Sequence, residues 1–157
     1  MTEETAKKEA GQKMQDGTFY LGRFKGKDGV EKDWFAAAED AEDNKGKKRK
    51  KGKRLLLSFN DAAAYAKGSK AYGHDDWIVP PGHDDPNGEP DILGALFNNK
   101  AKIGGFDGTD LDPADWYWSS SKVLGIYGLC QRFSDGEQFH DFTPYKLSVR
   151  LVRSVAI

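Results

Sequence analysis

Cys130 and His140 are the residues of this 157-residue chain whose chemical types could support nucleophilic catalysis. A thiolate attacks efficiently when an imidazole within hydrogen-bond reach takes up its proton. The two residues fall on runs that are predicted to form neighbouring strands, and such pairs also arise by chance. A buried, structural Cys130 is therefore the favoured interpretation, and we expect a protein that is not an enzyme.

A loop rich in carboxylates and imidazoles could bind a cation. Its alternating oxygen-bearing residues are Asp85, Asn87, Glu89 and Asp91. Calcium takes about six to eight such oxygen ligands, but Gly88 does not stand where an EF-hand loop needs its glycine. Helix capping and turn formation are the favoured interpretation, with calcium as the alternative; no other cofactor is expected.

The segment from Lys45 to Arg54 reads KGKKRKKGKR, with no apolar residue between Ala41 and Leu55. Like charges repel, so residues 42–54 are predicted to project as a loop. The favoured interpretation is a solvated hairpin tip. The alternative is a contact with a polyanion, namely nucleic acid, a sulfated glycan or an acidic membrane. Its residues would be Lys47, Lys48, Arg49, Lys50, Lys51, Lys53 and Arg54.

The last predicted strands carry the candidate ligand-binding residues. These are Tyr117, Tyr127, Gln131, Arg132, Gln138, His140, Phe142 and Tyr145. Side chains alternate between the two faces of a strand, which predicts Trp116 and Trp118 in the core and Tyr117 on the opposite, exposed face. Tyrosine, arginine and histidine are common where partners bind. The alternative is an ordinary half-exposed sheet face with aromatic cross-strand pairs.

The elements that position these residues follow from local patterns. Residues 1–16 are polar and are predicted to form a flexible tail, and residues 17–157 are predicted to form one domain. Two aromatic-rich runs around the turn at residues 25–29 indicate a β-hairpin. Ser58 or Asn60 is expected to cap a helix that runs to about Lys67, and a second helix is expected to begin at Glu89-Pro90-Asp91.

The region after Gly104-Gly105 is predicted to be strand-rich. Asp135-Gly136 between alternating runs predicts a tight hairpin turn. The final run, KLSVRLVRSV, alternates apolar and polar residues, as a strand with one buried face does. Arg150 and Arg153 are three residues apart, hence on opposite faces, and at least one is expected to brace a loop carboxylate. The order of elements predicts an α+β fold.

An ordered set of motifs extends this interpretation. GHDDWIVP, IGGFD, WYWSSS, QRFSDG and the closing VRLVRSV resemble the bacterial domain of unknown function 1566. That family is also called the Lcl C-terminal domain, after a Legionella collagen-like adhesin. The resemblance covers about Asp16 to Arg153. Two departures are local: Trp77 to Pro81 reads WIVPP in place of the family's Trp-Arg-Leu-Pro-Thr, and Leu151 replaces the usual proline.

The resemblance implies a C-type-lectin-like fold, with two helices packed on short antiparallel sheets. It also implies a scaffold that displays a binding surface. Enzymes of this superfamily use a pair of cysteines with copper, and this chain has one cysteine. We therefore expect a non-catalytic module that recognises a glycan or protein on a cell surface, as an adhesin or a phage or injection-system accessory. The alternative function is polyanion binding through residues 45–54.

Composition sets the expected location. The first residues contain no apolar core of a secretory signal, no run approaches the roughly 20 apolar residues of a membrane span, and one cysteine fits a reducing compartment. We expect a cytoplasmic protein by default, or a virion component, or export by a non-classical route. The net charge of −1 gives no general attraction for polyanions. Assembly into a larger particle would suit weak binding through avidity.

Overall fold

A computed structural model describes residues 8–43, 53–109 and 112–157 of the chain. These residues form an α+β fold of short helices and small antiparallel sheets, as the order of elements predicts. In chain order the elements are β1 (Phe19–Lys25), β2 (Glu31–Ala36), β3 (Glu42–Asp43), β4 (Lys53–Arg54), α1 (Phe59–Gly68), a 3-10 turn (Ala71–Gly73), α2 (Ile92–Asn98), α3 (Lys100–Ile103), β5 (Trp116–Val123), β6 (Tyr127–Arg132), β7 (Gln138–Phe142) and β8 (Val152–Ala156).

The first sheet has the strand order β1-β2-β8. The predicted hairpin of β1 and β2 is confirmed, and β8 joins the far side of β2. Residues 8–16 do not extend away from the domain as the predicted tail would. Gly11 donates its amide to the Tyr20 carbonyl at 2.7 Å, and Met14 donates to the Thr18 carbonyl at 2.7 Å. Residues 1–7 of the predicted tail lie outside the described residues.

Helix α1 begins after Ser58, one of its two predicted caps, and α2 begins at Ile92, directly after the predicted Glu89-Pro90-Asp91. The Ser58 hydroxyl accepts the Asp61 amide at 3.2 Å at the start of α1, and the Asp91 carboxylate accepts the Gly94 amide at 2.8 Å at the start of α2. Both bonds satisfy amides that have no partner inside the helix. Within the described ranges, no helix combines the length and the apolar character that crossing a membrane requires.

The second sheet has the strand order β5-β6-β7. The predicted turn at Asp135-Gly136 joins β6 to β7 and is confirmed. Gly136 has φ of +85°, and a Cβ atom there would lie 2.7 Å from the Phe97 ring. Glycine alone meets both demands, because other residues rarely adopt this φ and would also clash with the ring.

Strand β5 separates two hydrophobic clusters and is buried on both faces. Trp118 packs into the cluster that contains Cys130, and Tyr117 packs into the cluster that contains Trp34 and Phe133. Tyr117 has no exposed surface, and its ring centroid lies 4.4 Å from that of Phe133. The prediction that Tyr117 faces away from the core is therefore wrong, because the core surrounds the strand on both sides.

The C-terminal run is less regular than its alternation predicts. Isolated bridges join Leu147 to Leu57 and Ser148 to Tyr117, and the extended ladder begins only with β8. Ser148 and Arg150 are as fully buried as Val149 between them. Both arginines brace carboxylates, as predicted for at least one: Arg150 Nε lies 2.7 Å from Asp40, and Arg153 Nε lies 2.7 Å from Asp76.

The Arg150 guanidinium is enclosed by the protein. It donates to Asp40 Oδ1 at 2.7 Å and to the carbonyls of Ala37 and Gly104 at 3.1 Å each, and it lies 3.8 Å from the Phe106 ring centroid. Burial lowers the pKa of Arg150 to about 10. Asp40 also contacts the Arg54 guanidinium and accepts the hydroxyl of Tyr117. One carboxylate therefore serves two cations in the interior.

This arrangement predicts that Asp40→Asn lowers the free energy of unfolding by about 3–5 kcal/mol, because two guanidinium groups lose their shared anion and at least one is buried. Urea denaturation of the purified variant measures the change. Asp76→Asn is the matched control, since it also removes a carboxylate from an arginine but its side chain is 47% exposed. It should cost less than about 1 kcal/mol. Equal losses in the two variants would contradict a special role for Asp40.

Candidate binding surface

The β5-β6-β7 sheet and the turn after it present aromatic rings to solvent. We define the outer aromatic surface as Trp116, Tyr127, Phe139, His140, Phe142 and Tyr145. Tyr145, Phe139 and Phe142 are 53%, 50% and 40% exposed, and Trp116 and Tyr127 are half-buried. Large exposed apolar groups that adjoin one another mark interaction sites on soluble proteins. This surface is therefore the leading candidate for the contact with a ligand.

The six rings form one unbroken series of contacts. The successive centroid distances are 6.0 Å for Trp116–Phe139, 5.2 Å for Phe139–His140, 5.1 Å for His140–Tyr127, 4.8 Å for Tyr127–Phe142 and 5.8 Å for Phe142–Tyr145. Strand register explains part of the series, because Tyr127 stands directly opposite Phe142. Contacts at these distances hold the rings in place without covering them.

A groove of about 460 Å³ opens beside this surface. Trp116 and Tyr145 supply its aromatic walls, and Asp112, Asp141 and Lys146 supply charged groups. Trp116 is fixed from two sides: its indole Nε1 donates to Asp112 Oδ1 at 2.9 Å, and the Arg132 guanidinium lies 5.2 Å from its ring centroid. The groove thus combines a positioned indole with oxygen acceptors and one cationic donor.

A second carboxyl group adjoins Asp112 behind the groove. Asp115 is completely buried, and its Oδ2 accepts the Ser134 hydroxyl at 3.2 Å. Its Oδ1 has no hydrogen-bond partner among the described residues. Burial first, and then the neighbouring Asp112, raise the pKa of Asp115, although Ser134 acts in the opposite direction. The Asp115 carboxyl group therefore holds its proton more tightly than an exposed aspartate would.

The structure divides the predicted ligand-binding residues. Tyr127, Gln138, His140, Phe142 and Tyr145 lie together on the outside of the second sheet and its turn. Arg132 lies at the same sheet and braces the hairpin turn, with its Nη2 2.6 Å from Asp135 and 3.4 Å from Glu137. The predicted set is thus brought together, except for two members.

Tyr117 and Gln131 are the two exceptions, because both are buried. The Tyr117 hydroxyl donates to Asp40 and accepts the Asp107 amide at 2.8 Å. The Gln131 side chain donates to the Gly136 carbonyl at 3.1 Å and so supports the hairpin turn. Both predictions of a ligand contact are corrected for the same reason: each polar group is used inside the fold.

The candidate set missed Trp116, Phe139, Asp112 and Asp141. Trp116 was assigned to the core, but it is only half-buried and lines the groove. Phe139 had a signal in the sequence. The run QFHDF has aromatic rings at odd and at even positions, so the rings lie on both faces of the strand. An edge strand with two accessible faces fits that pattern.

The predicted polyanion site lies mostly outside the described residues, which omit Lys47, Lys48, Arg49, Lys50 and Lys51. For Lys53 the structure gives the backbone, which pairs with Asp43. Arg54 turns inward, and its guanidinium contacts Asp40 and the Tyr117 hydroxyl, the latter at 3.0 Å. Its prediction as an anion-binding residue is therefore corrected, because it already neutralises a buried carboxylate.

The predicted calcium loop is organised by hydrogen bonds. Asp85 accepts the amides of Asn87 and Glu89 at 3.0 and 3.1 Å, and its other oxygen accepts the Ser121 hydroxyl at 2.6 Å. Asp91 caps α2. Across the described ranges, no three histidine, cysteine or acidic side chains are gathered in a way that could hold a metal ion. The turn-and-cap interpretation accounts for Asp85 and Asp91, and calcium binding stays a prediction.

Cys130 and His140 do not form the hypothesised pair. Register places Cys130 opposite Phe139 and His140 opposite Leu129, so the thiol and the imidazole belong to opposite faces of the sheet. Cys130 is completely buried, and burial raises the pKa of its thiol. His140 is exposed. A thiolate activated by this histidine is therefore not available in this fold.

No protein-family model and no curated protein matches the chain. The resemblance to the Lcl C-terminal domain consequently remains a prediction from the motifs. The outer aromatic surface and its groove are the features that indicate a function.

The raised pKa of Asp115 predicts a pH-dependent stability. Because the folded pKa of Asp115 is raised above the ordinary 3.8, the native protein binds this proton more tightly than the unfolded chain. Stability from this group is full below about pH 4 and is lost as the pH rises through the folded pKa. Asp115→Asn, which cannot ionise, should gain stability relative to the native protein between about pH 3 and pH 7.

Urea midpoints at both pH values measure this gain. Asp84→Asn, at a residue for which no such buried pairing is present, serves as the control and should show no comparable gain. A constant difference between Asp115→Asn and the native protein across this pH range would contradict a raised pKa.

Proposed function

We propose that this chain is a non-catalytic ligand-binding module with a C-type-lectin-like fold, and that it recognises a glycan on a cell surface. The observation that carries the proposal is the groove beside the outer aromatic surface. Its walls are the rings of Trp116 and Tyr145, and its polar groups are Asp112, Asp141 and Lys146. Binding sites of this kind join apolar or aromatic walls to a few convergent polar groups.

The chemistry of the groove suits a sugar ring. A pyranose presents C–H groups on its faces, which pack on aromatic rings, and hydroxyl groups at its rim, which donate to carboxylates. Trp116 is held by Asp112 at 2.9 Å and by Arg132 at 5.2 Å, so little rotamer freedom is lost when a ligand packs on it. The second carboxylate, Asp141, borders the same groove.

The polar groups elsewhere on the described surface support binding rather than catalysis. Cys130 is buried away from His140, and the carboxylates of Asp85 and Asp91 are committed to backbone amides. The α+β arrangement of short sheets and short helices, together with the motif resemblance, supports a C-type-lectin-like scaffold. A protein ligand on the cell surface is the alternative, and it would use the wider outer aromatic surface.

Tyr145→Ala should weaken binding to a recognised glycan by about five- to tenfold, because it removes one aromatic wall of the groove. Its side chain is 53% exposed, so the free energy of unfolding should change by no more than about 0.5 kcal/mol. A glycan array identifies the ligand, and titration of the best glycan by calorimetry measures the change.

Val30→Ala is the matched control, since Val30 is 44% exposed and lies in the β1–β2 turn of the other sheet. Tyr145→Phe keeps the ring and tests the hydroxyl separately. The array is probed with calcium, with a chelator and at two salt concentrations. If binding requires calcium, the site lies at the Asp85 loop. If high salt abolishes binding equally in Tyr145→Ala and Tyr145→Phe, the basic segment is favoured as the site. Either result would overturn the groove as the site.

A further inference from the structure

The outer edge of β7 has backbone groups that find no partner among the described residues. β7 is the last strand of the order β5-β6-β7, and its five side chains are exposed or half-buried. Two backbone hydrogen bonds fix the pattern of the β6–β7 ladder. The Thr143 amide donates to the Ile126 carbonyl at 2.9 Å, and the Arg132 backbone amide donates to the Glu137 carbonyl at 2.8 Å. The register between them is continuous.

Hydrogen-bonded and non-hydrogen-bonded pairs alternate along an antiparallel ladder. From the two fixed bonds, Gln138, His140 and Phe142 occupy non-hydrogen-bonded positions relative to β6, so their amides and carbonyls point away from it. The Phe142 amide donates to the Asp141 carboxylate at 2.8 Å, and its carbonyl accepts the Tyr145 amide at 3.0 Å. Within the described residues, the amides and carbonyls of Gln138 and His140 have no protein partner.

The other edge strands of the two larger sheets are covered or interrupted. β1 contains a register shift at Tyr20 and Gly22 and also bridges Lys13. β5 has a register shift and a bridge from Ser148, and β8 is bridged by Ile78. Proteins protect sheet edges with bulges, prolines, lysines or covering segments. β7 reads QFHDF and pairs with β6 in a regular register, and within the described residues no bulge, proline, lysine or isolated bridge interrupts its outer edge; its one acidic side chain is Asp141.

We propose that the open edge of β7 binds an extended peptide segment of another protein by adding it to the sheet as a further strand. Peptide backbone is the ligand that satisfies two amides and two carbonyls at this spacing. An antiparallel segment would form up to about four hydrogen bonds, all with Gln138 and His140. This site goes beyond the proposed glycan groove and does not depend on it.

The side chains beside the open edge specify the peptide. Glu137, Phe139 and Asp141 share one face of the strand by alternation, which places an apolar ring between two carboxylates. Glu137 also lies 3.4 Å from Arg132, whereas the Asp141 carboxylate accepts the amide next to it on the edge. The complementary segment has the pattern basic, any, apolar, any, basic, with its apolar residue opposite Phe139.

A second copy of this chain fits the edge poorly. A symmetric antiparallel pairing through Phe139 would place Glu137 of each copy opposite Asp141 of the other. Like charges directly opposite each other in a sheet are destabilising. The charge pattern therefore favours a basic partner segment over self-association.

The test uses the full chain and a fluorescein-labelled peptide, Thr-Lys-Thr-Val-Thr-Lys-Thr, with fluorescence anisotropy as the readout. His140→Pro removes the outward amide but no bond to β6, and proline is tolerated on edge strands. It should weaken binding by about tenfold. His140→Ala, which keeps the amide, should bind within about twofold of the native protein. Asp141→Asn should weaken binding and reduce its dependence on salt.

Amide hydrogen exchange of the native protein gives an independent readout that does not depend on the folding of the proline variant. Added peptide should slow exchange at Gln138 and His140 and leave Val155 unchanged. Equal loss of binding in the proline and alanine variants would overturn strand addition, as would equal affinity for the peptide with both lysines replaced by glutamate. Concentration-dependent dimerisation through this edge would instead identify a second copy as the occupant. Tyr145→Ala should bind the peptide normally, which separates this result from the glycan test.

Discussion

The guanidinium of Arg150 and the carboxylate of Asp40 meet in the interior, where little water can solvate either charge. Removing two charges from water costs several kcal/mol per ion, and only close contact with saturated hydrogen bonding offsets that cost. Arg150 meets this demand with a carboxylate, two carbonyls and the face of Phe106. The loop after β2, the turn after α3 and the segment before β8 must therefore converge on one point.

Asp40 extends the same constraint to the rest of the fold. Its carboxylate also receives the Tyr117 hydroxyl from β5 and the Arg54 guanidinium from β4. Tyr117 consequently points inward with its ring against Phe133, and β5, although it is an edge strand of its sheet, is covered by a hydrophobic cluster on each face. Because β5 is enclosed, the solvent-accessible part of the second sheet consists of β6, β7 and the turn that follows.

The outer aromatic surface is a consequence of the enclosure of β5. β7 pairs with β6, and no further strand of the described residues lies beyond it. Phe139 and His140 are both exposed although they point to opposite faces. The turn that carries Tyr145 then folds beside Trp116 and closes the groove. The surface offers two kinds of recognition: side-chain packing in the groove and backbone pairing at the edge. The two share Asp141, but the groove binds through the rings of Trp116 and Tyr145, whereas the edge binds through the backbone amides and carbonyls of Gln138 and His140.

The sequence by itself determined the α+β class, the two hairpins, the cap of α1, the approximate start of α2, and a carboxylate-bracing role for at least one of Arg150 and Arg153. Each of these depends on residues close in the chain or on the strict need of a buried charge for a partner. Residue type and position on the last predicted strands also grouped most of the residues that surround the outer aromatic surface. The sequence could not show that the polar groups of Tyr117, Gln131 and Arg54 are used inside the fold rather than in binding.

Only the tertiary structure decided which faces are covered. Strand periodicity shows which side chains share a face, but a face becomes core or surface according to what packs on it from distant parts of the chain. The ion pair of Asp40 and Arg150 joins residues 110 positions apart, and no local pattern encodes that contact. The position of β7 at the end of its sheet has the same origin, since strand order is set by long-range pairing rather than by the composition of the strand.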